Sequence, residues 1–245
     1  MYHFFAPEGR GESGELVIRG QDVKHITKVL RMKIGEQFIA SDGRDRDYLC
    51  EIAELGPDFV RLRVVSDQLP SAEPSREIHL FQGLPKADKM DYIIQKSVEL
   101  GVCRLIPVEM ERCVVQLDAS KKEKRRDRWQ KLAESASKQS GRSIIPEVEA
   151  VSRFEEALKM ASRLDHLLVP YESAENMAYT RESLSAVKKG ESVGFFIGPE
   201  GGFAPSEIEK LKACGARIIT LGPRILRTET AGPAVLAMMT LLWEE

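Results

Sequence analysis

Over the first 70 residues, short apolar runs with β-branched alternation give the period of half-buried strands. They predict strands at Tyr2–Phe5, Glu15–Arg19, Gln37–Ser41, Tyr48–Glu54 and Val60–Ser66. One interval breaks the period. Gln21 to Arg31 reads as a helix, with Ile26, Val29 and Leu30 toward a core and Lys24, Lys28 and Arg31 on another stripe, beside His25. Asp42-Gly43 marks a hairpin. Pro70 and Pro74, among small polar residues, set a linker over 71–76. From Glu77 the pattern changes to strands alternating with helices. Strands fall at Ile78–Gln82, Arg104–Val108, His166–Val169, Gly194–Ile197 and Ile218–Leu221. Helices fall near Lys89–Leu100, Lys121–Gly141, Phe154–Ser162, Pro205–Ala213 and Glu229–Trp243. This predicts a small β-rich domain over 1–70 and an α/β domain with a mainly parallel sheet over 77–245.

Two helices carry more than a fold signal. In Lys121–Gly141, Trp129, Leu132, Ala133 and Ala136 make a core stripe, and Lys124, Arg128, Lys131, Lys138 and Arg142 recur on a neighbouring face. Residues 121–142 hold nine basic side chains against three acidic ones, next to Ser137, Gln139, Ser140 and Gly141. A charge run is usually a solvated face; here the small polar groups beside it favour contact with RNA phosphate or ribose. The last helix is apolar on nearly every face from Ala234 to Trp243. It is either an ordinary core helix or one that a second subunit helps to cover.

Composition narrows the class. The chain has 245 residues, 42% hydrophobic and 30% charged, with a net charge of −2, so any nucleic-acid contact must come from local patches. Cys50, Cys103, Cys113 and Cys214 form no C-x-x-C pair and lack companion histidines, which disfavours a metal site and fits free thiols in a reducing cytoplasm. Met1 to Pro7 is too short an apolar run for a signal peptide. Ala234 to Trp243 falls short of the ~20 residues that span a bilayer.

The chemistry concentrates in two loops that follow strands. The first is Gly198-Pro199-Glu200-Gly201-Gly202-Phe203, whose glycines let backbone approach a ligand closely. It is neither a Walker A loop nor G-x-G-x-x-G, and alone it reads as a turn between strand and helix. The second is Gly222-Pro223-Arg224-Ile225-Leu226-Arg227-Thr228-Glu229-Thr230-Ala231, which interleaves an aliphatic pair with charges just before an apolar helix. Both loops belong at the carboxyl edge of the sheet, where open α/β folds bind ligands. Gly83-Leu84-Pro85-Lys86 follows the first strand of this domain, and Lys86 and Lys89 either reach a phosphate or solvate a helix start.

Ile197 to Phe203 followed by Leu221 to Ala231 resembles the SPOUT methyltransferases and, more narrowly, the ribosomal RNA small-subunit methyltransferase E family. The resemblance implies a PUA-like β-barrel for RNA contact, into which His25 and Val29-Leu30-Arg31 fit. It also implies a SPOUT-type parallel sheet with a C-terminal trefoil knot, a homodimer, and S-adenosyl-L-methionine held bent in the knot. The implied acceptor is N3 of a uridine in 16S ribosomal RNA near the decoding region, as free RNA or in the small ribosomal subunit. Such a donor needs neither a metal nor a covalent nucleophile, and none of His3, His25, His79 or His166 lies in either loop.

On this basis Tyr171, Glu172, Ile197, Gly198, Pro199, Gly201, Leu221, Gly222, Ile225, Leu226, Thr230 and Ala231 are expected at the cofactor. Lys24, His25, Lys28, Arg31, Lys86, Arg128, Lys138, Gln139 and Arg142 are expected at RNA. Arg227 is expected to stabilise negative charge on the uracil oxygens, and Glu229 either accepts the N3 proton or, behind an N-capping Thr228, serves the helix dipole. Two other readings stand beside this one: ribose 2′-O methylation by the same fold, and an RNA-binding assembly factor without turnover.

Overall fold

The strand period of the first 70 residues is realised as one sheet around one apolar core. The computed structural model describes residues 1–9, 11, 14–172 and 176–244. The strands β1 (His3–Phe5), β2 (Glu15–Arg19), β3 (Gln37–Ser41), β4 (Asp47–Leu55) and β5 (Phe59–Ser66) lie in the order β1-β3-β4-β5-β2. Only the β1–β3 pair is parallel. Leu16 and Ile18, Phe38 and Ala40, Cys50 and Ile52, Val60 and Leu62 each sit two residues apart, so each pair faces the same side, and all are buried together.

The predicted helix over Gln21–Arg31 is different in kind. Only α1 (Gln21–Lys24) is α-helical, and His25–Val29 continues as a π-helix. The amide of Leu30 reaches back five residues to the His25 carbonyl at 2.9 Å, and Arg31 then takes a positive φ of 55°. The i,i+4 stripe is therefore broken. Ile26 enters the core, but Val29, expected inside, is 69% exposed, because a wider turn leaves each later side chain short of its α-helical direction.

The chain forms two compact units: Met1–Glu73 with Ser137–Ile145, and Pro74–Ala136 with Pro146–Glu245. Residues 137–145 were expected inside the second domain. They belong to the first unit because its side chains hold them. Glu73 accepts from Arg142 Nε at 3.1 Å and from the Ile144 amide at 3.0 Å. Asp22 pairs with Lys138 at 2.9 Å, and Ser143 Oγ donates to Asp47 at 2.8 Å.

In the second unit the strands are β6 (Glu77–Gly83), β7 (Arg104–Glu109), β8 (Glu147–Val148), β9 (Ser152–Arg153), β10 (His166–Pro170), β11 (Ser192–Ile197) and β12 (Arg217–Ile219). They run parallel in the order β12-β10-β11-β6-β7-β8, with β9 also on β7. Both faces of the sheet are covered, which is why its strands are apolar almost throughout. Leu80 and Phe195 point to α2 (Lys89–Glu99), α3 (Ala119–Ser140) and α7 (Thr228–Trp243). Their chain neighbours Phe81 and Phe196 point the other way and stack at 4.5 Å under α4 (Phe154–Ala161) and α6 (Pro205–Ala213). Each such ring contributes roughly 1.5–3 kcal/mol by leaving water. On α3, Trp129, Ala133 and Ala136 are buried and Leu132 packs against them. The last helix, read either as a core helix or as one that a second subunit helps to cover, buries Val235, Leu236 and Met239 while Leu241 is 81% exposed. Among the described residues, no helix is long and apolar enough to cross a membrane.

Candidate functional site

Register brings the ends of four strands to one edge. Gln82 lies opposite Ile197, and Pro170 lies opposite Ile219, so the segments after β6, β10, β11 and β12 emerge side by side. They enclose a cleft of 920 Å³, walled by residues 170–172, 197–203 and 220–228, with Ala231, Lys89 and Arg112.

Glycine builds the first wall. An added Cβ on Gly201 would meet Arg112 Cβ at 2.9 Å, and one on Gly83 would meet the Pro199 nitrogen at 2.7 Å. The loop therefore sits directly on neighbouring backbone. Arg112 Nη1 donates to the Gly201 carbonyl at 3.1 Å, holding the loop from outside. Glu207 holds the next segment: its carboxylate accepts from the Ala204 amide at 2.8 Å and the Glu111 amide at 2.9 Å. Gly202 and Gly222, both at positive φ, have open space where a side chain would project.

The second wall depends on α5 (Met177–Ser185), a helix absent from the predicted elements although Asn176 is an N-cap residue by type. Asn176 accepts from the Tyr179 amide at 3.0 Å. Thr180 Oγ1 then donates to the Thr220 carbonyl at 2.9 Å and accepts from the Thr220 amide at 3.0 Å, which fixes the start of the 220–228 loop. Asn176 and Met177 also line the cleft.

Charge at the rim is paired. Lys89 Nζ lies 3.0 Å from Glu200 and 3.2 Å from Glu229. Burial pushes the Glu200 carboxyl up, but the Lys89 ammonium, its own amide and the Lys86 amide outweigh this and hold it below the ordinary carboxylate value. The hydrogen bond to Glu200 in turn raises Lys89.

Thr228, the N-cap in one of the two readings of Glu229, does not hold that position. Arg227 occupies that position without a side-chain cap, and Thr228 is the first helical residue. Its hydroxyl turns inward, donating to the Gly198 carbonyl at 2.7 Å and accepting from Gln82 Nε2 at 2.9 Å.

Of the residues expected at the cofactor, all except Thr230 line this cleft, and Thr230 is exposed on α7. Arg227 also lines it. Glu229 does not; it stands behind Lys89, in the first turn of α7. Lys89, Arg112, Glu200 and Thr220 line the cleft as well and were not among the residues expected at the cofactor; Lys89 and Arg112 reach this edge only in the folded chain. Among those expected at RNA, Lys24, His25, Lys28, Arg31, Lys86 and Gln139 are exposed. Arg128 pairs with Asp91 and, with Lys124 and Lys131, lines a second recess of 450 Å³. Lys138 is tied to Asp22. Arg142 is the clear departure: its guanidinium is 3% exposed and ion-paired to Glu73, so it faces the interior of its unit and not solvent.

Comparison with known proteins adds to this geometry. An RNA methyltransferase domain family matches residues 72–240, and an RNA methyltransferase PUA domain family matches residues 18–65. The chain is 36% identical to a ribosomal RNA small subunit methyltransferase E of Bacillus subtilis (strain 168), over 90% of this chain and 87% of that protein. Among solved structures it is similar to a ribosomal RNA small subunit methyltransferase E from Neisseria gonorrhoeae bound to S-adenosyl methionine, with a TM-score of 0.85, 32% identity, and 99% and 98% of the two chains covered. It is also similar to a methyltransferase from Legionella pneumophila in complex with the same cofactor, with a TM-score of 0.83, 29% identity, and 98% and 97% coverage.

Proposed function

We propose, since this chain belongs to the ribosomal RNA small subunit methyltransferase E family, that it methylates N3 of a uridine in 16S ribosomal RNA near the decoding region, using S-adenosylmethionine. The observation that carries the reading is the cleft, where two glycine-bearing loops from adjacent strand ends face each other at the carboxyl edge of a parallel sheet. The residues present fit the cofactor. Gly202 and Gly222 leave open the space a side chain would fill, and Leu221, Ile225 and Leu226 line the cleft beside them.

When bound, S-adenosylmethionine supplies a methyl group already activated by its sulfonium. The chain's own tasks are orientation and charge. Ile197, Leu221, Ile225 and Leu226 give apolar walls, and Tyr171 lies edge-on to Phe203 at 6.3 Å at the far side. Arg227, exposed at the start of α7, stabilises the negative charge that grows on the uracil oxygens as N3 loses its proton. Glu229 takes that proton, directly or through water. A second role for Glu229 rests on a specific observation: it is ion-paired to Lys89 in the first turn of α7, which suits a carboxylate serving the helix dipole.

The exposed cations at 24, 28, 31 and 86, with His25, Gln139 and the α3 residues Lys124, Arg128 and Lys131, form the RNA-facing set of this proposal. A homodimer covering the exposed Leu241 and Leu242, a trefoil knot at the C-terminal end and a cytoplasmic site of action belong to it as well.

The test is methyl transfer from labelled S-adenosylmethionine to unmodified small subunits and, separately, to naked 16S RNA, followed by nucleoside analysis. Label in 3-methyluridine is expected. Label in a 2′-O-methyl nucleoside overturns the position, and cofactor binding without transfer to either substrate favours an assembly factor.

A further inference from the structure

The interior beside the cleft holds one polar group that packing does not require. Gln82 is 0% exposed at the end of β6, where the residues before it, Leu80 and Phe81, fill the two apolar cores. Its Nε2 donates to the Gly83 carbonyl at 3.0 Å and to Thr228 Oγ1 at 2.9 Å. Its Oε1 is buried without a hydrogen-bond partner. A buried amide left half satisfied destabilises a core relative to an apolar side chain of its size, so stability is not the reason for it.

The direction of the hydrogen bonds indicates another reason. Nε2 has two protons and gives both away, which leaves Thr228 Oγ1 an acceptor toward Gln82 and frees its own proton for the Gly198 carbonyl at 2.7 Å. The chain Gln82–Thr228–Gly198 thus runs one way, each bond polarising the next. It joins β6, the first turn of α7 and the first residue of the 198–203 loop. The close approach of Gly83 to Pro199 presses the same loop onto β6. Gly232, one turn after Thr228, brings α7 against Leu80 and Gln82 without a side chain between them.

We infer that Gln82 is a positioning residue for cofactor binding: acting through Thr228, it fixes the Gly198 carbonyl and so the orientation of the 198–203 loop. The inference rests on the S-adenosylmethionine reading of the cleft, and its test separates the two. S-adenosylmethionine binding is measured calorimetrically on wild type, Gln82→Met, Thr228→Val, the double variant and Thr228→Ser, alongside urea unfolding of each. Gln82→Met and Thr228→Val are expected to weaken binding about tenfold, the loss of one net hydrogen bond in a preorganised site. The double variant loses no more than either alone, because the residues act in series. Thr228→Ser keeps the hydroxyl and retains affinity. Gln82→Met unfolds at the wild-type urea midpoint or above it, an outcome a merely structural role does not give. Wild-type affinity in Gln82→Met overturns the inference, and so does a Thr228→Ser variant as weak as Thr228→Val. If Thr228→Val fails to fold, Gln82→Met and Thr228→Ser decide alone. A wild-type protein that does not bind S-adenosylmethionine at all overturns the cofactor reading first, and the inference with it.

Discussion

Arg142→Met distinguishes a structural cation from an RNA-binding one. The side chain stands at the end of the most basic stretch of the chain, yet the fold turns it onto Glu73, whose carboxylate is 7% exposed. Removing the guanidinium leaves that carboxylate buried with the Ile144 amide, at 3.0 Å, as its remaining side-chain hydrogen bond. Breaking one partner of a buried ion pair costs roughly 3–5 kcal/mol. In the first unit this corresponds to hydrogen-exchange protection falling by about a hundredfold to several thousandfold in β2 and β5, whose amides report opening of that core. The assay is exchange followed by mass spectrometry on peptides covering 15–19 and 59–66, with peptides from β6 and β11 as an internal reference. Arg142→Met/Glu73→Leu recovers much of the loss, since a well-packed apolar pair replaces a buried ion pair at little cost. Unchanged protection in Arg142→Met, together with a fall in RNA affinity, would refute the structural assignment and return the residue to the RNA face.

Other expectations follow from the cleft and from α3. Glu229→Gln, assayed at saturating substrate across pH, lowers kcat about 10²–10⁴-fold if the carboxylate is a general base; unchanged turnover leaves only the helix-dipole role. Gly83→Ala forces a Cβ to 2.7 Å from the Pro199 backbone, so it lowers cofactor affinity and costs roughly 1–3 kcal/mol in urea unfolding. The Lys89–Glu200 pair contributes above the ordinary Glu value of 4.5 and is lost as pH falls through the depressed folded value. From the lysine side it contributes below the ordinary 10.5 and is lost as pH rises through the raised value. Exchange of amides in 198–203, corrected for intrinsic rate, is therefore flat from about pH 6 to 9 and rises in acid and again above the raised lysine value. Replacing Lys124 and Lys131 by Ala flattens the logarithmic salt dependence of binding to single-stranded RNA by about 1.4, at about 0.7 per phosphate contact; an unchanged slope removes them from the interface.

The sequence by itself determined what depends on period and on local backbone chemistry. Alternation of two located the strands of the first unit, because a strand with one buried face must repeat every second residue; the strands of the second unit are buried on both faces and carry no such alternation. The glycine-rich loops stood out because only glycine admits the close approaches at 83 and 201. The order of those loops was enough to indicate the family. What the tertiary structure decided is which charges are free. Lys124 and Lys131, as basic as Arg142 in sequence, face solvent, while Arg142 is enclosed by Glu73, which lies 69 residues away. Lys89 is held between two carboxylates from different loops. The helix at Gln21 looked regular because a π-turn leaves no mark on composition; in the fold it still delivers Ile26 to the core. Gln82 and Thr228 are 146 residues apart and meet only when β6 and the first turn of α7 are brought together. Hydrophobic periodicity is a property of neighbours in the chain, whereas ion pairs and buried hydrogen bonds are properties of neighbours in space, and only folding makes the second set known.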